Sequence, residues 1–328
     1  MKDLASHLSG KLIWAEAPGS CMVFGEHAVL KGYPAVVCAL NPRLRVYAKK
    51  REDGWLHVEA MGTSRSISWE ERASLATDFS FLHACIDSFP QASCGLEVRV
   101  ESSLSSVKGF GSSAALIAAS LLAISLVFES STSLEEANAS DRQKEEIFLK
   151  GLAILRKVQG SGSGADLAAS IYGGCLEYSY SHKPRALEPL GLFETIYLVY
   201  SGHKTATSLV LKQLHEKQQA GVLDVGAIEE LGQTSLSAIA LWPSLNDKQV
   251  LGHLCHRHQE AMKRLELVDE GLDRVCSALE SQKIAHKISG SGLGDSVLCF
   301  EKPEIDESSV TKVEVDFRGL RYGYKSIF

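Results

Sequence analysis

The sixteen residues SSVKGFGSSAALIAAS, Ser105 to Ser120, constrain this chain more than any other stretch. Gly109 and Gly111 flank Phe110, Ser112 and Ser113 follow, and then Ala114 to Phe128 is apolar apart from Ser120 and Ser125. That run is too short to span a bilayer, and it is apolar on every face of a helix. It therefore predicts a helix starting near Ser112 and enclosed by protein on all sides. The turn before it is equally telling. Glycine tolerates positive φ and lets successive N–H groups point into one concavity. The unpaired N–H groups and positive dipole end of the helix face the same spot. Hydroxyls of Ser112 and Ser113 can donate to phosphate oxygens or ligate a divalent cation, and Lys108 adds charge at the lip. The junction reads as a phosphate cradle, but not a Walker A loop, because no GK[ST] follows at the required spacing.

The 328 residues suit two intimately packed domains or one large one, and are ample for a real core. A net charge of −6 argues against a nucleic-acid binder, which would show a basic face, yet leaves room for a small anionic substrate. The eight cysteines form no CxxC pair and sit in apolar stretches such as AVVCAL and DSVLCF, so they read as buried small hydrophobes of a cytoplasmic protein. MKDLASHLSGK has no apolar core of signal-peptide type, and no membrane association is expected. HLCHRHQE, with His253, Cys255, His256, His258 and Glu260, lacks zinc spacing and reads as a solvated helix.

Along the chain, KLIWAEA, PAVVCAL, RLRVYAKK, WLHVEA, SRSISW and GLEVRVES are predicted strands. A second helix is predicted over Asp141 to Val158, with acids early and bases late. Strands are expected at CLEYSY and ETIYLVY, helices through most of Thr205 to Gln282, and strands at AHKISG, DSVLCF and KVEVDF. The polar, proline-containing SHKPRALEP marks the expected join, giving domains over residues 1–182 and 183–328.

Two further glycine-rich stations frame the first: APGSCMVFGEHAVLKGYPAV near the start, and ISGSGLGDSVLCF, Ile288 to Phe300, near the end. In this order and at these separations, the three resemble the signature motifs of the galactose, homoserine, mevalonate and phosphomevalonate (GHMP) kinase superfamily. GFGSSAA is similar to that family's ATP-binding GLGSSAA, and GEHAVL looks most like mevalonate kinases. QGSGSGADLAASIYGG resembles a further family segment and puts Asp166 at the catalytic aspartate; alone, Asp166 would read as a first-turn acid favoured by the helix dipole. The resemblance implies an α+β, two-domain GHMP kinase fold: an N-terminal ribosomal protein S5 domain 2-like unit and a C-terminal ferredoxin-like unit, with the active site in the cleft between them. It implies an ATP- and Mg²⁺-dependent kinase acting on a small anionic alcohol, mevalonate first and phosphomevalonate second. Gly109, Phe110, Gly111, Ser112, Ser113 and Ala114 would hold the nucleotide, and Ser113 the metal. Glu26, His27, Gly290, Ser291 and Gly292 would line the substrate side. A homodimer is compatible with the sequence. A catalytically silent sensor of the same fold is the reading from another class.

Two departures from the pattern matter. Ser20 stands where mevalonate kinases have a lysine after APG, with Lys11, Lys31, Lys108 and Lys204 as candidates to replace it. Lys108, in the phosphate loop, is the expected replacement and a second catalytic residue. The family's metal-binding glutamate falls on Leu155. Glu145 and Glu146 precede it in the same helix, but at roughly 100° per residue neither shares its face. Mg²⁺ is thus expected on the ATP phosphates, Ser113 and Asp166. The third station, GLGDS, is closer to phosphomevalonate kinases than the first station is.

Overall fold

The computed structural model describes residues 12–104, 109–129 and 136–325. Two long antiparallel strands, β1 (Leu12–Phe24) and β2 (Ala35–Lys50), form its spine. PAVVCAL and RLRVYAKK, expected as two strands, are one. Asn41 and Pro42 lie opposite no residue of β1, and the register shifts there between Pro18 and Gly19. A bulge of this kind bends a strand without ending it. The bend lets β2 pair with two partners: β5 (Leu96–Ser102) along its second half and β7 (Cys175–Tyr178) along its first. The hairpin β3 (Trp55–Ala60) and β4 (Thr63–Ser68) extends the sheet beyond β5.

Helix α1 (Leu75–Asp87) was not foreseen from the sequence; its apolar residues Leu75, Phe79, Leu82 and Ile86 form a helical stripe. The apolar run forms α2 (Ser112–Phe128), and its core-facing residues reach all round the helix. Short β6 (Ala137–Asn138) precedes α3 (Asp141–Gln159), which opens on a reciprocal Ser140–Gln143 capping box and closes at Gly160 with φ 78°. Helix α4 (Ala165–Tyr172) follows directly after the QGSGSG turn.

Beyond β7 come β8 (Arg185–Leu187), α5 (Gly191–Glu194) and β9 (Thr195–Tyr200). Four helices then run as expected: α6 (Thr207–Gln219), α7 (Val225–Ala240), α8 (Lys248–Arg264) and α9 (Glu270–Ser281). The chain closes with β10 (His286–Ser289), β11 (Ser296–Cys299), β12 (Val310–Glu314) and β13 (Arg321–Lys325). The second sheet is antiparallel, in the order β10-β11-β9-β12. The LRYGYKSIF tail, given no strand by the sequence reading, supplies β13, which pairs antiparallel with β1 in the first sheet. A division of the chain after residue 182 is our proposal; β8 and β13, from beyond it, lie in the first sheet. The larger apolar core also crosses that line, joining α2 and the first sheet to Phe193, Trp242 and Leu254. Seven cysteines are buried and Cys94 is partly so, and none is in a disulfide among the described residues.

Candidate active site

The bulge in β2 opposite Pro18 and Gly19 sets the first two stations against each other. Gly19 sits where a Cβ would lie 2.7 Å from Leu104 and from the carbonyl oxygen of Phe110. The backbone of β1 thus comes close enough for Ser20 N–H to donate to that carbonyl at 3.0 Å. Gly109 and Gly111 both adopt positive φ, 72° and 62°. Gly111 is the residue that starts α2, and no side chain caps the helix. The first N–H groups of α2 therefore face an open cavity of about 360 Å³, lined by Gly109, Gly111, Ser112, Ser113 and Ala114. Phe110 differs: its side chain is in the apolar core, so only its backbone is at hand for a ligand.

A second helix points its start into the same cavity. Gly162, Ser163 and Gly164 form the turn before α4, and Asp166 in its first turn lines the space. Ser20 Oγ donates to Asp166 Oδ1 at 2.8 Å. Asp166 is open to the cavity but otherwise enclosed. Burial raises its pKa above the ordinary aspartate value; the Ser20 hydrogen bond opposes this, Glu26 adds to it, and Lys204 opposes it.

Glu26 and His27, from the turn after β1, form the adjoining wall with Val29 and Leu30. Glu26 is buried and bonded on two sides. His258 Nε2 lies 2.7 Å from Oε2, and Lys287 Nζ donates to Oε1. Gly290 N–H adds a weaker bond at 3.3 Å. Burial alone would raise the carboxyl's pKa, but Lys287 and His258 outweigh it and hold it at about 2. Burial, reinforced by Lys287, pushes His258 down to about 4 despite the Glu26 carboxylate, so the ring is neutral. His27 pairs through Nε2 with the carbonyl of Ser291 at 2.9 Å; burial lowers its pKa, so it too is neutral and Nε2–H is the donor. His27 holds φ at 53°, an uncommon value for a side chain of this size.

The opposite wall comes from the second half. Lys204, Ala206, Thr207, Ser208 and Leu211 line it, together with Ser289, Gly290, Ser291 and Asp295. Gly292 does not reach the cavity; it is packed against Leu267, whose carbonyl oxygen would lie 2.6 Å from a Cβ there. Asp295 has φ 66°, and its buried Oδ1 has no hydrogen-bond partner. Lys204 Nζ lies 3.7 Å from that oxygen. Burial raises the Asp295 pKa, Lys204 opposes this, and Asp166 adds to it.

Of the two described lysines among the four proposed for position 20, Lys204 lines this cavity. Lys31 lines a neighbouring cavity and donates to Gln218 Oε1 at 3.1 Å. Lys11 and Lys108 lie outside the described residues. Leu155, the position on which the expected metal-binding glutamate falls, lines the cavity with an apolar group. No group of three or more His, Cys, Asp or Glu among the described residues could hold a metal. HLCHRHQE is helical as expected, but not wholly solvated: His258 and Cys255 are buried. Sequence reasoning missed Lys287, His258 and the role of Ser20, and gave Asp295 no place in the site. The one available signal for Lys287 was its position just before the third glycine station.

Two helix N-termini, a hydroxyl-bonded aspartate and a lysine surround one cleft, an arrangement suited to holding phosphate. Residues 79–174 match the family described as GHMP kinases N terminal domain. The chain carries this domain over those residues and has the fold of the GHMP kinases. Among its relatives, the mevalonate kinase of Archaeoglobus fulgidus is 26% identical over 307 residues, covering 94% of this chain and 98% of that protein. The Methanococcus jannaschii mevalonate kinase structure superimposes with a TM-score of 0.71 at 18% identity, over 92% of this chain and 98% of the other. Streptococcus pneumoniae phosphomevalonate kinase gives 0.70 at 14% identity, over 88% and 92%.

Proposed function

We propose that this protein is an ATP-dependent kinase that phosphorylates the hydroxyl of mevalonate. Asp166 carries the reading. It projects from a helix start into the cavity that also receives the start of α2, and Ser20 fixes its orientation. Relatives named mevalonate kinase, aligned over most of the chain, support the choice of acceptor.

Phosphoryl transfer demands in-line positioning and charge neutralisation, with little covalent chemistry from the protein. The backbone of Gly109–Gly111 and the N–H groups of Ser112 and Ser113 would hold the ATP phosphates against the α2 dipole. The acceptor hydroxyl lies towards Asp166, which takes its proton as the oxygen attacks the γ-phosphorus. The bond from that phosphorus to the β,γ-bridging oxygen breaks, and its electron pair leaves with ADP. The raised pKa of Asp166 suits a base that must bind the proton it removes. Glu26 and His27 keep the substrate wall in place, and the Gly290–Ser291 loop closes its end. Mg²⁺, which would neutralise phosphate charge, fits a site of this composition, because it is commonly held by one or two protein oxygens plus the phosphates. Ser113, Asp166 and Asp295 supply the oxygens at hand. A cytoplasmic location accords with the buried free thiols, and among the described residues no helix is long and apolar enough to cross a membrane.

A phosphomevalonate acceptor is the second reading, favoured by Asp295 in GLGDS. Charge counting opposes it: that acceptor adds a phosphate to a cavity that already holds Asp166 and Asp295, with Lys204 the sole described Lys or Arg on its walls. An ADP-coupled assay with mevalonate, phosphomevalonate, homoserine and galactose tests the assignment. Turnover of mevalonate at a kcat/KM well above the other three is expected, and preference for another acceptor replaces it.

A further inference from the structure

We propose that Lys204, on the loop between β9 and α6, is the catalytic cation of this kinase, brought in from the second half of the chain because position 20 cannot supply one. The inference rests on the kinase reading above. Position 20 is closed to a long side chain. Ser20 is fully buried, its hydroxyl is committed to Asp166, and a Cβ built on Gly111 would fall 1.9 Å from that oxygen. Yet the reaction needs positive charge. Two carboxylates, Asp166 and Asp295, face the space into which ATP would carry its γ-phosphate. Glu26, the third, is already matched by Lys287. His27 is neutral and contributes no charge. Lys204 is the only Lys or Arg among the described residues that lines the cavity.

The geometry around Lys204 fits that task. Its ammonium is 3.7 Å from Asp295 Oδ1, beyond hydrogen-bond length, and its charge acts on both carboxylates. A lysine is a compact charge on a flexible stem, so a modest swing brings it onto a phosphate placed between Asp166 and the start of α2. Asp295 is then a positioning residue that holds the ammonium at the cleft before nucleotide arrives. The acceptor oxygen forms its bond to the γ-phosphorus, the bond to the bridging oxygen breaks towards ADP, and the acceptor proton goes to Asp166. The lysine balances the negative charge on the transferring oxygens.

The test compares wild type with Lys204→Met, Lys204→Arg and Lys31→Met. Loss of one preorganised group that stabilises transition-state charge typically costs about 10²–10³ in kcat. Lys204→Met should show that loss with both KM values within a few-fold of wild type, Lys204→Arg should recover part of it, and Lys31→Met should match wild type. A second readout needs no acceptor: the gain in ADP affinity on adding aluminium fluoride and Mg²⁺, a mimic of the transferring phosphoryl group. Lys204→Met should lose most of that gain while binding ADP alone normally. Should Lys204→Met fail to fold by circular dichroism, Lys204→Gln takes its place. A wild-type kcat, or an undiminished fluoride gain, overturns the proposal. If wild type phosphorylates no acceptor, the kinase reading fails, and the fluoride measurement still decides whether Lys204 serves the phosphate.

Discussion

Asp166 and Glu26 are two carboxylates on the walls of one cavity whose pKa values are shifted in opposite directions. Asp166 has a hydroxyl for its immediate partner, and burial lifts its pKa. Glu26 is more deeply buried, yet Lys287 and His258 hold it at about 2. The difference is one of partner. A hydroxyl orients a carboxylate and leaves it able to take a proton; an ammonium fixes it as an anion. The first arrangement serves proton transfer. The second serves as a joint, because Glu26 belongs to the turn after β1 whereas Lys287 and His258 belong to β10 and α8.

The most severe test of this contrast is Asp166→Asn. Loss of a general base costs about 10²–10⁴ in rate, and we expect that loss in kcat, with ATP affinity and melting temperature close to wild type. Steady-state kinetics beside calorimetry would check it, and a near-normal kcat breaks the comparison on the catalytic side. Next comes Glu26→Gln. Removing one member of a buried pair typically costs about 3–5 kcal/mol, whereas replacing the pair by apolar groups can be nearly neutral. Chemical denaturation should find the single variant strongly destabilised and Glu26→Leu/Lys287→Met much less so. Equal losses would mean that the pair is not the joint.

The dependence on pH sharpens the same contrast. His258 is held at about 4 against an ordinary 6.5, and Glu26 at about 2 against 4.5, so the unfolded chain binds more protons than the folded one in acid. The stability they contribute is complete above pH 6.5, declines first as His258 is protonated in the unfolded state, and declines further below 4.5 through Glu26. Thermal melts along that range should show the fall in wild type and a shallower one in Glu26→Leu/Lys287→Met. The smallest effect is expected from Ser20→Ala. Without the hydrogen bond that lowers it, the pKa of Asp166 should rise further and move the acid limb of the kcat/KM profile to higher pH. A limb at the wild-type position would show that Ser20 does not tune the base.

What the sequence disclosed follows the range of the forces involved. Gly109 to Ser113 were legible because a glycine turn before a helix is local backbone physics. Asp166 was legible through its neighbours in the same turn. The joint was not: Glu26 lies 232 residues from His258 and 261 from Lys287, and nothing in HLCHRHQE distinguishes a histidine that faces water from one that faces a carboxylate. Ser20 read as a missing lysine, because a substitution shows what is gone and not what the new hydroxyl binds. Lys204 was one lysine among four until the fold placed it beside Asp295. The bend in β2 and the pairing of β13 were hidden for the same reason, since a strand's partners are fixed by the rest of the sheet.

The pairing of β13 with β1 also bears on how this molecule is made. Leu12 to Glu16 find their partners at Arg321 to Lys325, and Arg321 adds an ion pair to Glu16 at 3.4 Å. A chain leaving the ribosome amino end first must carry that side of β1 unpaired until more than three hundred residues have been synthesised. Domains of many large proteins complete their folding one at a time during translation. Here the edge of the first sheet that leads to β13 and β6 is closed only by the late-made β13, so that sheet matures as an event of the whole chain, and its exposed strand edge is the surface a nascent-chain chaperone would have to shield meanwhile.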